Sequence, residues 1–333
     1  MLGKPINMTH TPPKVWLQAG RLPASQAPLL LVHGGAGPQD PKGERFLNGQ
    51  KFLSQILTDL QVLKPSDAIE ALKNEWSSLS HSSRLSLYAI RAMESEPLLN
   101  SGLGASLQGD GMARVSSSFM ESQKRVFSAV INTNSLEHPS ELAWWLQRER
   151  FSVLDSFGAQ NLSEQLNCRK KNIVTPYRMQ RWIEHKKQAL QGKFSTVGAI
   201  SIDENHTLSV ITSTGGVGNE TPGRVGDSPT IAGNYCTSEV AVSCTGIGEQ
   251  IMSHAVAPKL AILVEGGMSL KQAAEKTFQE AAVKKFEFAA IAAAYHAKEN
   301  EIEWVAATSH CQMLCAVSVG GKISLPSQNE TEL

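Results

Sequence analysis

The chain has 333 residues, 41% of them hydrophobic and 19% charged, which is enough apolar material for one large layered α/β domain or two average ones. Lysine plus arginine (31) balances aspartate plus glutamate (31), and no basic stripe stands out, so a nucleic-acid partner or an acidic membrane surface is not expected. Five cysteines, odd in number and scattered, fit reduced thiols in a cytoplasm better than a disulfide framework. Cys311 and Cys315 beside His310 resemble half of a zinc site, but no second ligand pair follows at zinc spacing, and buried structural cysteines are the better reading.

Residues 1–26 lack the charged start, apolar run and small-residue cleavage site of a secretory signal. They read as a flexible extension over residues 1–25, ahead of a single domain over 26–333. No apolar run approaches the ~20 residues that cross a bilayer, so a soluble, cytoplasmic protein is expected. Leu29 to Val32 predicts a buried strand, and His33-Gly34-Gly35-Ala36-Gly37-Pro38 a tight turn after it. Spaced apolar positions from Ser66, a candidate N-cap, to Met93 predict one or two helices. Asn100-Ser-Gly-Leu-Gly104 marks a loop, and Gly109-Asp-Gly111 a hairpin turn between strands at 105–108 and 112–115. Pro139-Ser140 opens a helix running to Arg150.

Residues 161–194 are polar, with few core formers, and read as a surface linker. The composition then changes sharply. Thr196 to Asp203 and Thr207 to Ser213 predict two strands joined by Asp203-Glu204-Asn205. Helices follow at about 246–264 and 269–285, then apolar strands to the end. Strands and helices in this order indicate an α+β or layered arrangement.

Three stretches concentrate unusual chemistry. The first is Ser195-Thr196-Val-Gly-Ala199, a threonine opening a strand after a polar linker. A threonine hydroxyl is a weak nucleophile without a base beside it. Cleavage before Thr196 supplies one, because a freed α-amine has a pKa of roughly 7.7–8.0 and is partly uncharged at neutral pH. Alone, the pentapeptide reads more readily as ordinary strand. The second stretch carries Gly215, Gly216 and Gly218, then Arg224 and Asp227. It is no P-loop, since Gly-Lys-Ser/Thr is missing. An arginine fork suits a carboxylate and an aspartate suits an ammonium, so the pair can hold the two charged groups of an α-amino acid. The plain alternative is a surface ion pair. The third is Ser243-Cys-Thr-Gly-Ile-Gly-Glu249, small residues leading into a helix, where main-chain N–H groups and the Thr245 hydroxyl can form an oxyanion hole or merely cap the helix.

Together, these stretches resemble the threonine-type N-terminal-nucleophile (Ntn) hydrolases of the plant-type asparaginase family, which includes isoaspartyl peptidases, glycosylasparaginases and taspase-like endopeptidases. The resemblance runs from about Leu29 to Glu265. It is carried by 33–37, 100–104, 196–199, 212–216, 223–229 and 243–249, in the family's order. It implies an α+β fold of four-layer αββα type, cut between Ser195 and Thr196 into an α chain (1–195) and a β chain (196–333) that pair as a dimer of heterodimers. It implies Thr196 as nucleophile and, through its amine, base. Thr214 is then the threonine bonded to it, Arg224 and Asp227 the grips on the substrate α-carboxylate and α-amine, and Thr245 and Gly246 the oxyanion hole. Asn100 becomes a loop residue near the site. No cofactor is required. A structural sodium ion held by main-chain carbonyls of Met93 to Leu103 is implied by several relatives.

The implied activity is hydrolysis of asparagine or β-aspartyl peptides, with a glycosylasparaginase or an endopeptidase as variants of the same chemistry. An uncleaved, inactive homologue with a binding role is the alternative from a different class. Its support lies in the departures from the family pattern. Ser195 stands where relatives usually carry glycine or aspartate, and Ser116-Ser117-Ser118 where many carry Asp-Ala. Lys285 to Ile291 replaces a glycine-rich turn, and Thr308 to Gln312 an asparagine- and threonine-rich segment. The last two changes bear on the leaving group more than on the nucleophile.

Overall fold

The computed structural model describes residues 15–37, 40–59, 68–188 and 196–326. The Ser66 cap, Pro38 and Ser195 lie outside the described residues. Numbered in chain order, the strands form two sheets. The larger has eight, in the spatial order β13 (Lys322–Ser324), β12 (Gln312–Val319), β2 (Leu29–Gly37), β6 (Val197–Ile202), β7 (Leu208–Thr214), β3 (Val115–Glu121), β4 (Ser128–Thr133) and β5 (Val153–Leu154). The smaller has five: β1 (Val15–Pro23), β11 (Glu301–Ser309), β10 (Phe288–His296), β9 (Val240–Gly246) and β8 (Asn234–Cys236). Every pairing is antiparallel except the short β4–β5 contact. The helices are α1 (Glu44–Thr58), α2 (Glu70–Glu75), α3 (His81–Glu94), α4 (Pro139–Trp145), α5 (Ser156–Gln165), α6 (Pro176–Gln188), α7 (Gly248–His254), α8 (Val256–Glu265) and α9 (Leu270–Val283).

Period-2 alternation distributes the strand residues between separate cores. Leu30 and Val32 of β2, Val197 and Ala199 of β6 and Ile211 of β7 pack with Leu53, Ile90, Met93 and Leu142 from α1, α3 and α4. Their alternates, Leu29, Leu31, Ile200 and Ile202, face the other sheet and meet Ile291, Ala293 and Trp304. Beyond the five-stranded sheet, Val240, Val242, Ala290 and Val305 pack with Leu260 of α8 and Phe278 of α9. Strands buried on both faces read as near-continuous apolar runs, as 29–32 does and as 197–202 does but for Ser201. The mixed α and β content expected from the sequence is therefore present, organised on two sheets.

Several expectations need correction. Residues 15–23 are no flexible extension: Val15, Trp16 and Leu17 are buried, and β1 pairs with β11 residue for residue, covering an edge that would otherwise be open. The glycine-rich 33–37 is not a turn but the second half of β2, paired with β12 across a bulge at Leu314/Cys315. A side chain at Gly34 would collide with Leu314, so glycine lets that strand lie close to its neighbours. The hairpin at 109–111 exists, with Gly111 N–H donating to the Gln108 carbonyl at 2.8 Å, but its flanks make one isolated bridge, Leu107–Ala113.

Of the stretch read as a linker, the described residues 161–188 are largely helical. Asp155 caps α5 by accepting from the Gly158 N–H, and α6 docks through Trp182, whose indole N–H donates to the Gln108 carbonyl at 2.8 Å. The helix expected over 246–264 divides at Ala255, which takes a left-handed φ of +47°. Helix α9 starts where expected, with Ser269 and Gln272 forming a capping box. Among the described residues, all five cysteines are free, no three His, Cys, Asp or Glu side chains converge as a metal cluster, and no helix is long and apolar enough to cross a membrane.

Candidate active site

Thr196 immediately precedes β6, a strand held between β2 and β7 at the centre of the larger sheet. It is buried, and its hydroxyl donates to the Thr214 Oγ1 at 3.1 Å, from the end of the neighbouring strand β7. The Ser228 hydroxyl lies 3.5 Å away on a third side. Thr214 Oγ1 also accepts the Gly216 N–H at 3.2 Å, so its lone pairs are partly committed and its orientation is set. Two antiparallel strands thus bring the two predicted threonines together.

Beneath Thr196 runs a buried polar chain. The His33 Nε2 lies 2.9 Å from the Ser243 Oγ, which lies 2.7 Å from the Thr212 Oγ1, which donates to the Asn234 Oδ1 at 2.8 Å. Burial pulls the His33 pKa down to about 3, opposed only in part by a main-chain contact with Thr196, so the ring is neutral at physiological pH. Gly198 leaves room for this chain. A Cβ there would lie 2.2 Å from His33 Nε2 and 2.1 Å from Ser243 Oγ. Gly198→Ala is accordingly expected to destabilise the fold by roughly 1–3 kcal/mol, the usual effect of overpacking, with a parallel fall in activity. Urea unfolding of the variant at the parent's stability would remove this account of the chain.

On the next side sit Arg224 and Asp227. Asp227 is buried, and its Oδ2 has no hydrogen-bond partner among the described residues. Glycines 233 and 248 make way for its two oxygens, since a Cβ at either would approach Oδ2 or Oδ1 within 2.5 or 2.9 Å. Burial raises the Asp227 pKa to about 7, with Arg224 opposing and Glu249 adding to the rise. Arg224 is engaged: its Nε and Nη2 donate to the two oxygens of Glu249 at 2.7 and 2.9 Å, a bidentate pair. Burial favours the neutral guanidinium, but the Glu249 bonds outweigh it, and the pKa is raised. An unpaired carboxylate beside an oriented guanidinium is chemically fit for a zwitterionic amino-acid head.

Asn100 clamps two loops of the site. Its Oδ1 accepts the Ser106 N–H at 2.8 Å, its Nδ2 donates to the Gly216 carbonyl, and its own carbonyl accepts the Gly215 N–H at 2.9 Å. Glu94, at the end of α3, accepts from the Ser213 hydroxyl at 2.7 Å and so anchors β7 one residue before Thr214.

Thr245 and Gly246 end strand β9 of the other sheet. The Thr245 hydroxyl accepts the Ala36 N–H at 3.2 Å, and neither residue hydrogen-bonds the Thr196 hydroxyl. The helix expected to begin here starts later, at Gly248, with the Ile247 N–H given to the Glu287 carbonyl. Gly246 has a φ of +135° and lies against Phe288, whose Cα a Cβ would approach to 2.6 Å. The unusual Lys285 to Ile291 segment therefore backs the glycine directly.

Sequence reasoning gave no role to His33, Ser228, Thr212, Asn234 or Glu249. Glu249 closes the glycine-rich stretch that drew attention, and Ser228 adjoins Asp227. Signals were present in both cases. For the buried hydroxyls there was none, because a serine or threonine in a strand looks the same whether it meets water or a partner. The Ser117 and Ser118 hydroxyls do likewise, donating to the Thr212 carbonyl at 3.0 Å and the Ser228 carbonyl at 2.5 Å.

Comparison with known proteins identifies the family of the chain. A family model described as asparaginase matches residues 26–324. An isoaspartyl peptidase/L-asparaginase of Nostoc sp. is 35% identical over 285 residues, 80% of this chain and 85% of that protein. An isoaspartyl peptidase of Escherichia coli is 30% identical, covering 76% and 82%. A plant-type L-asparaginase of Thermococcus kodakarensis is 28% identical, covering 74% and 82%. With a family match spanning nearly the whole described chain and relatives aligned over most of their own length, this protein belongs to the asparaginase family.

Proposed function

We propose that this protein is an isoaspartyl peptidase and L-asparaginase that works through an acyl-enzyme on Thr196, after breaking its own chain between Ser195 and Thr196. The observation that carries the proposal is the Thr196–Thr214 hydroxyl pair, set beside a buried carboxylate and an oriented guanidinium. The two sheets with helices packed beyond them fit the four-layer αββα arrangement of Ntn hydrolases, in which a strand presents the nucleophile at its start.

In the free-amine form, the Thr196 α-amine takes the hydroxyl proton as Oγ1 attacks the β-carbonyl carbon of the substrate. Thr214 fixes the hydroxyl rotor, and the Thr245–Gly246 segment supplies the oxyanion donors. The tetrahedral intermediate collapses by breaking the C–N bond. The departing nitrogen takes the proton from the threonine ammonium, leaving the aspartyl ester on Thr196. Water attacks that ester, giving its proton to the same amine, and aspartate leaves as the hydroxyl is restored. Asp227 holds the substrate ammonium. Arg224 holds its carboxylate through the guanidinium edge that Glu249 leaves open. Self-association as a dimer of αβ heterodimers is part of the same proposal and rests on the family alone.

The test is ammonia release from L-asparagine and leucine release from β-aspartyl-leucine by the purified protein. Arg224→Ala is expected to raise KM for both substrates at least about thirtyfold, the loss of a charge-assisted bidentate contact worth roughly 2–3 kcal/mol, with a smaller change in kcat. An Arg224→Ala variant with the parent's KM would remove the arginine from the proposed role.

A further inference from the structure

Arg224 is carried by a stretch of main chain with little packing to hold it in place. Gly218, Asn219 and Gly223 take left-handed φ values, and Thr221, Pro222, Gly223 and Val225 are exposed. A Cβ on Gly223 would meet no atom within 4 Å, so nothing packs against the backbone just before the arginine. The Glu249 pair aims the guanidinium, but the main chain beneath it must be located by other means. A displacement of about 1 Å is enough to forfeit most of what a positioned group contributes.

The buried Gln108, which no step of the mechanism uses, supplies that location. Its Oε1 accepts the Gly223 N–H at 3.2 Å and the Arg114 Nη1 at 2.6 Å. Two donors at one end of the amide leave a single orientation for it, with Nε2 turned to the Asn132 Oδ1 at 3.4 Å. Asn132 passes the contact on, its Nδ2 donating to the Arg224 carbonyl at 3.0 Å. The main chain is thus held just before and just after the arginine. On either side of Gln108, the Gly109 N–H donates to the Glu220 carbonyl and the Leu107 carbonyl accepts the Asn219 N–H, both at 2.7 Å.

Both holding residues are themselves fixed from behind. The Gln108 carbonyl accepts the Trp182 indole N–H and the Gly111 N–H, each at 2.8 Å, and Arg114 is tied to both oxygens of Asp110 at 3.1 and 2.8 Å. Asn132 has a φ of +53°, which asparagine tolerates, and gives its N–H to the Ser116 Oγ at 2.9 Å.

We infer that Gln108 is a positioning residue for substrate recognition: with Asn132 it sets the place of Arg224 without touching the substrate itself. The inference rests on the reading of Arg224 as the grip on the substrate α-carboxylate.

The test measures KM and kcat for L-asparagine and β-aspartyl-leucine in Gln108→Leu and Asn132→Asp, each alone and combined with Arg224→Ala. Either substitution alone is expected to raise both KM values at least about tenfold while kcat stays within about twofold, since the Thr196–Thr214 pair is untouched. Added to Arg224→Ala, neither should raise KM further by more than about twofold, because a residue that acts through the arginine has nothing left to act on. Gln108→Glu keeps an acceptor for the Gly223 N–H and should recover most of the parent's KM. A fall in kcat at unchanged KM overturns the inference, as do KM effects that add to that of Arg224→Ala and a Gln108→Glu variant as impaired as Gln108→Leu. Should Gln108→Leu not fold, Asn132→Asp carries the same test, because it keeps the size of the side chain and the tolerance of positive φ while removing the donor. If the parent turns over neither substrate, calorimetric titration with L-aspartate separates the two readings. Binding weakened at least about tenfold by the same substitutions upholds the positioning role while the catalytic reading falls, and absent or unaltered binding overturns the positioning role.

Discussion

Thr196→Ala is expected to stay one chain of 36.0 kDa and to release neither ammonia from asparagine nor leucine from β-aspartyl-leucine. The loss should reach at least roughly a thousandfold, the range seen when a covalent nucleophile is removed and only binding and oxyanion stabilisation remain. In the mechanism proposed above, two steps depend on the same oxygen. In maturation, Thr196 Oγ1 would attack the Ser195 carbonyl carbon, the peptide would become an ester, and water would open it to leave a carboxylate on Ser195 and an amine on Thr196. In turnover, that oxygen would attack the substrate with the new amine as base. Thr196→Ser should mature and act at reduced rates, since it keeps the oxygen but loses the methyl group that restricts its rotamer. The readouts are intact mass and denaturing electrophoresis for the cut, and product release for turnover. An unbroken parent chain that is fully active would overturn the self-cleavage step, and an active Thr196→Ala would overturn both.

The second large effect is on pH. Buried Asp227 is protonated below about pH 7, and a neutral carboxyl cannot hold a substrate ammonium. Activity under kcat/KM conditions should therefore rise through about pH 7, along with the separate ionisation of the Thr196 amine at roughly 7.7–8.0. In Asp227→Asn the lower ionisation is gone. KM should rise at least about thirtyfold, as expected for losing one partner of a buried charge pair worth roughly 2–5 kcal/mol. What remains of the ascending limb should move up to the amine alone.

Stability carries the same signature with its own sign. The folded pKa of about 7 lies above the ordinary carboxyl value, so the folded protein holds a proton that the unfolded chain releases near pH 4. Stability from this group is full at acid pH and falls between about 4 and 7, by up to roughly 4 kcal/mol. Asp227→Asn should flatten that fall, measured as denaturant midpoints at pH 5 and pH 8. Superimposable pH profiles for parent and variant would remove Asp227 from both roles.

Much of the site was legible because its chemistry travels in short, ordered motifs. The pairing of Thr196 with Thr214 came from the family resemblance, while the two strands that carry them were legible from their apolar runs and the turn between them. Arg224 and Asp227 stood out as charges bounded by glycines. The fold was less legible where context outweighs local pattern. The glycines at 33–37 look like a turn by composition, yet they form a strand because β12 pairs along them and, at Gly34, Leu314 leaves no space for a side chain. Residues 161–188 look like a linker because so few of them are buried, chiefly Ser163, Cys168 and Ile173. What holds them is specific polar docking, such as Trp182 on Gln108, which no hydropathy pattern records. Glu249 escaped because its partner lies twenty-five positions away on another element.

The strand order also bears on what a break before Thr196 does to the molecule. Strand β2 comes from the first part of the chain but lies between β12 and β6, both from the second, and β3 lies beside β7 in the same way. In the other sheet, β1 closes the edge of β11. The two halves are woven through both sheets, so cutting the chain severs one covalent bond and leaves every ladder of hydrogen bonds intact. Neither half has a sheet of its own to keep. A nicked molecule is thus still one cooperative object, but its unfolding produces two particles where there was one. Its resistance to heat then acquires a dependence on dilution that the unbroken chain does not have.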